Sequence, residues 1–110
     1  MRLILFLTFI LPFFLFAEER IDFNTQIKSL LSNRCIACHG PDEENREAGL
    51  RLDTFDGATR DLDGYSAIVP SDPEESEMIF RISLSADDEE VMPPKGKGRP
   101  FTDKEVALLE

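Results

Sequence analysis

Histidine occurs once in the 110 residues, at His39, and cysteine only twice, at Cys35 and Cys38. Both scarcities narrow the chemistry. Two cysteines separated by two residues enclose too small a loop to staple a fold as a disulfide. Two thiols and one imidazole fall short of the four ligands of a closed zinc site unless a carboxylate completes the set. Adjacent Cys38 and His39 are also poorly spaced for tetrahedral coordination. Basic residues are few as well: 12 Lys and Arg stand against 22 Asp and Glu, a net charge of −10. That balance argues against nucleic acid, whose phosphates require basic patches, and it favours a partner with a positive docking face. Internal repeats are absent, as is any low-complexity run beyond the acidic stretch Asp87–Glu90.

The chain also lacks a hydrophobic run of membrane-spanning length. Leu3 to Phe16 is apolar apart from Thr8 and is broken by Pro12, whereas a span needs about 20 apolar residues. Met1-Arg2 before this run, and Ala17 followed by Glu18-Glu19-Arg20 after it, give the layout of a secretory signal peptide over residues 1–17. The remainder, 18–110, is then an exported domain. It is periplasmic, or faces the periplasm from a membrane anchor if the leader is retained. Cleavage removes Arg2 and no acid, so the net charge moves from −10 to −11. A domain this small has a marginal core and calls for a staple. With a useful disulfide excluded, a bound cofactor is the remaining candidate.

What is present is concentrated in "NRCIACHGP", residues 33–41. Cys-x-x-Cys-His is the attachment pattern of c-type haem. Two thiols at this spacing add across two vinyl groups on one side of a porphyrin, and the histidine that follows reaches the iron from one face. A redox-active dithiol expects the motif at a helix start after a strand, but a helix precedes Cys35. The iron's second face needs a ligand, and no second histidine exists. Of the two methionines outside the leader, Met78 lies beside Ile79 and Ile82 on a helical apolar face and reads as core. Met92 follows the acids Asp87–Glu90 and Val91 in a loop and precedes Pro93-Pro94, which fix the backbone and hold a thioether towards the iron. Cys35 and Cys38 are therefore the expected attachment points, and His39 and Met92 the axial ligands. Filling both axial positions favours electron transfer over peroxide or oxygen chemistry.

The periodicity predicts a first helix over 22–33, with Phe23, Ile27, Leu30 and Leu31 on one side. Residues 41–70 read as turns and brief extended pieces. A second helix is expected from Asp72 as cap and Pro73 at its first position, lined by Met78, Ile79 and Ile82. Thr102-x-x-Glu105 is a capping box opening a third, with Val106, Leu108 and Leu109 apolar. That last helix carries no stop signal before Glu110, so the domain is read as incomplete at its C-terminus. Arg51, Lys95, Lys97 and Arg99 are candidates for neutralising haem propionates, although a solvated loop is the favoured reading of them. Asp61-Leu-Asp63-Gly64 echoes part of a calcium loop but lacks its other spaced oxygens, and Tyr65 reads as packing.

Four blocks in order, "DFNTQIKSLLSNRCIACHGPD", "AGLRLDT", "AIVPSDPEESEMIFRI" and "VMPPKGKGRPFTDKEVALLE", closely resemble the planctomycete-type cytochrome c domain, a branch of the class I cytochromes c. The resemblance runs from about Ile21 to Glu110. It implies a mainly α fold of about three helices with turn-rich loops around one covalent haem c. It also implies attachment at Cys35 and Cys38, proximal ligation by His39 and distal ligation by Met92. In such domains the last helix packs across the first. The implied task is single-electron transfer to a redox partner protein or to downstream domains of the same chain. In the alternative, the domain is the N-terminal electron-transfer module of a larger exported oxidoreductase.

Overall fold

The computed structural model describes Pro12 and residues 17–110. The leader read at residues 1–17 lies, apart from Pro12 and Ala17, outside the described residues. The fold is mainly α. Among the described residues there is no strand, only a single parallel bridge between Ser66 and Ser76, and no helix is long and apolar enough to cross a membrane.

A π-helical turn, Phe23–Ile27, runs directly into α1, Lys28–Arg34. Asp22 caps it: its carboxylate accepts from the backbone N–H of Asn24 at 2.9 Å, and the Gln26 side chain accepts from the N–H of Asp22 at 2.7 Å. Leu31 is buried and Ile27 and Leu30 are half-buried, whereas Phe23 is 58% exposed. The wider opening turn breaks the 3.6-residue register that puts Phe23 in line with Ile27.

Among the described residues four α-helices form where the sequence predicts three. The additional one, α2, is Phe55–Thr59, started by Thr54, whose hydroxyl accepts from the N–H of Gly57 at 3.1 Å. Five residues are too few for periodicity to reveal a helix. Helix α3, Glu77–Ile82, begins four residues later than the Pro73 start predicted. The reason is Ser76. Its buried hydroxyl donates to the carbonyl of Asp72 at 2.8 Å and accepts from the N–H of Val69 at 2.9 Å. The N–H groups of Glu77 and Met78 bond back to Ser66 and Ala67. Backbone groups that would extend the helix towards Pro73 are thus spent on the neighbouring segment. Helix α4, Asp103–Leu109, opens with the predicted capping box between Thr102 and Glu105.

Two small apolar clusters hold these pieces. Leu52, Ala58 and Ala67 form one, against Cys35, Ile36 and Leu50. Ile79, Ile82 and Val106 form the other, against Met92, Phe101 and Leu109. Met78 packs against both. The link from α1 to α4 is polar. Arg34 makes a two-pronged pair with Glu105, at 2.8 and 2.7 Å, and its guanidinium lies 4.4 Å from the centre of the Phe101 ring.

Glu105 is held well below its ordinary pKa, first by the Arg34 hydrogen bond, then by the Thr102 N–H and Arg99. A carboxyl with a depressed folded-state pKa contributes stability that is complete above the unfolded-state value, about 4.3, and is lost as pH falls through the folded value. Glu105→Gln is accordingly expected to lower thermal stability at pH 7. The gap to the parent should narrow progressively below about pH 4. Melts from pH 7 to pH 3 check this, and a gap independent of pH contradicts it.

Candidate functional site

The C-terminus of α1 delivers the cysteine motif into a tight turn. The N–H groups of Cys35 and Ile36 bond to the carbonyl of Leu31, and those of Cys38 and His39 to the carbonyl of Cys35. Later residues clamp the turn from outside. Cys38 accepts from the N–H of Glu47 at 2.8 Å, His39 from the N–H of Leu52 at 2.7 Å, and Gly40 from Arg46 Nε at 2.9 Å. Gly40 is buried, and a Cβ there would overlap the carbonyl oxygen of Ile36. A backbone oxygen cannot rotate out of the way. Gly40→Ala is therefore expected to cost on the order of 3 kcal/mol or more, at or beyond the top of the ~1–3 range of ordinary overpacking. Denaturant unfolding of the purified variant measures it; a loss under about 1 kcal/mol contradicts the tight turn.

His39 Nδ1 lies 3.2 Å from the carbonyl oxygen of Glu47. A carbonyl only accepts, so Nδ1 is the donor, and the neutral ring in that arrangement has its lone pair on Nε2, the tautomer a metal ligand needs. Burial pushes the Cys35 thiol up to about 11, against a smaller lowering by Arg34. It is thus protonated at neutral pH and protected from adventitious oxidation, since the thiolate is the reactive form.

The structure brings all four residues singled out in the sequence to one cavity. Cys35, Cys38, His39 and Met92 line a space of about 220 Å³, far beyond the ~10–15 Å³ that holds one water. Leu50, Leu52, Leu62, Ala67 and Ile82 make its walls largely apolar. Met92 is tied by its N–H to the carbonyl of Arg81 at the end of α3, at 3.2 Å, and is flanked by buried Val91 and Pro93. An open groove leads outward past Ala37, Cys38, His39 and Met92.

Other expectations change. Met78 is half-buried, and besides packing in both clusters it lines the cavity, as does Tyr65, which is 47% exposed rather than core. Of the cations considered for propionates, Arg51 pairs with Asp53, Lys95 with Asp87 and Arg99 with Glu105, and none of these three lines the cavity. Lys97 does, together with Arg34 and Arg81, which the sequence does not single out. Arg81 is positioned by Glu77 one helical turn earlier, at 2.9 Å. The Asp61–Gly64 segment is a turn in which Asp61 accepts from the N–H of Gly64 at 2.9 Å. Among the described residues no group of three or more His, Cys, Asp or Glu converges as a metal-ligand set.

Neither a curated protein nor a solved structure matches the chain. A family model does: planctomycete cytochrome C matches residues 35–96, more than half of the 110 residues. The match begins at the first cysteine of the motif, and takes in His39, Met92 and most of the cavity wall. The chain belongs to the planctomycete cytochrome c family.

Proposed function

We propose that this chain is an exported single-electron carrier with one covalent haem c in a class I cytochrome c-type fold. Its domain is 18–110, released from a signal peptide at 1–17 into the periplasm, or held there by that segment if it stays uncleaved. Cytochrome c domains carry electrons on haem; covalent attachment, His/Met ligation, export and the kind of partner are our reading. The observation that carries it is the meeting of two thiols, an imidazole and a thioether on the walls of one apolar cavity.

That donor set fits the group. Soft thioether and imidazole suit iron in a low-dielectric pocket, and two thiols at this spacing match paired attachment. Bound haem supplies the one-electron couple. Cys35 and Cys38 would hold it by thioether bonds, and His39, oriented by the Glu47 carbonyl, and Met92 would supply a ring nitrogen and a thioether sulfur to its iron. The apolar walls exclude water, which stabilises the less charged, reduced form. Tyr65, Arg81 and Lys97 offer donors for acidic substituents at the cavity's rim. The outer groove gives a redox partner access to the Cys38 edge; that partner is a separate protein or further domains of the same polypeptide, not a nucleic acid.

Potentiometric titration of the exported, haem-loaded chain tests this reading. We expect one reversible one-electron wave and no rapid carbon monoxide binding to the reduced form at neutral pH. Rapid stoichiometric uptake shows an open sixth position and overturns the Met92 ligation.

A further inference from the structure

The most enclosed ion pair among the described residues joins α1 to α4 and has one of its two members in the cavity wall. Arg34 and Glu105 expose only 8% and 20% of their side chains, and the two-pronged contact fixes the guanidinium in one plane. The Phe101 ring covers Arg34, while Glu105 is held further by Arg99 at 2.8 Å and by the Thr102 N–H at 2.9 Å. The two partners differ in one respect. Arg34 lines the cavity and directly precedes Cys35; Glu105 does not line it.

A positive charge in the wall of a low-dielectric cavity favours the reduced state of a one-electron centre inside, because reduction adds negative charge there. A carboxylate fixed on the far side of that cation cancels part of the effect. Salt screens an enclosed pair much less than an exposed one. Glu105 stays ionised at neutral pH, since its hydrogen bonds hold its pKa well below the usual range.

We propose that Arg34 and Glu105 form a redox-tuning pair: Arg34 raises the potential of the group in the cavity, and Glu105, a positioning residue acting through Arg34, limits that rise. The inference rests on the haem reading of the cavity. It ties the potential to the docking of α4, because the pair is also the polar link between α1 and α4.

The test is spectroscopic potentiometry at pH 7 on the haem-loaded full chain and on Arg34→Gln, Glu105→Gln and Arg34→Lys. Arg34→Gln is expected to lower the potential and Glu105→Gln to raise it. Each shift should be up to about tenfold in the one-electron equilibrium constant, or about 59 mV. Arg34→Lys, which keeps the charge, should stay close to the parent. A merely structural pair behaves differently: either truncation loosens α4 and admits water, so both variants move the potential the same way. Shifts of the same sign, or no shift, overturn the proposal. If Arg34→Gln fails to take up haem, the sign for Glu105→Gln decides, a rise supporting the pair and a fall or no change refuting it. A parent chain with no covalent haem gives no wave at all; that outcome refutes the haem reading itself, and the pair with it.

Discussion

Replacing Cys35 and Cys38 together by alanine is expected to abolish covalent haem completely, leaving an exported chain whose intact mass equals the polypeptide alone. The physical reason is that no other thiol exists to substitute, since the chain has two cysteines in all. The loss should reach the fold as well. Cys35 packs against the Leu52, Ala58 and Ala67 cluster, and of the partly buried side chains packed on the two clusters Met78 alone is shared by both. A domain of this size has few buried side chains to spare, so without a group filling the cavity its thermal transition should broaden and fall. Either single substitution should leave one thioether and a haem that survives denaturation in lower yield. Mass spectrometry of the three variants against the parent checks this, and full haem content in the double variant refutes the attachment.

Met92→Ala separates ligation from attachment. Haem should stay bound through both cysteines, while the weak long-wavelength band of a methionine–ferric bond disappears. The potential should drop by on the order of 0.1 V or more, within the ~0.8 V that axial ligands span. The size follows from losing a soft thioether, which favours ferrous iron, and from water entering in its place. Met78 also lines the cavity, so it is the residue to test next: if the band persists in Met92→Ala and vanishes in Met78→Ala, the distal ligand is Met78 and the Met92 assignment is wrong.

How much of the fold and the site is legible in the sequence depends on how local each feature is. Cys35, Cys38 and His39 lie within five residues, so spacing alone carries their chemistry. The Thr102–Glu105 capping box is equally local, and it forms as predicted. Met92's place in the cavity wall is legible for a different reason, an apolar side chain in a loop between acids and prolines with no periodic partner. What escapes is what joins distant parts of the chain. Arg34 and Glu105 are 71 positions apart, and neither stands out from other charged residues until the chain is folded. The bond from His39 Nδ1 to the Glu47 carbonyl involves a main-chain oxygen, which carries no residue signature. Helix α2 is too short for periodicity. The start of α3 is misplaced in the sequence reading because Asp72-Pro73 signals a helix locally, while Ser76 ties itself to Val69 instead. Tyr65 reads as packing because nothing in a turn-rich segment distinguishes a core side chain from one that walls a cavity.

The central claim is covalent haem at Cys35 and Cys38, and haem staining on a denaturing gel addresses it most directly. The full chain is co-expressed with the c-haem maturation machinery, exported, boiled in detergent and separated. Haem that migrates with the polypeptide is the expected result; a chain that exports intact and never stains contradicts the claim.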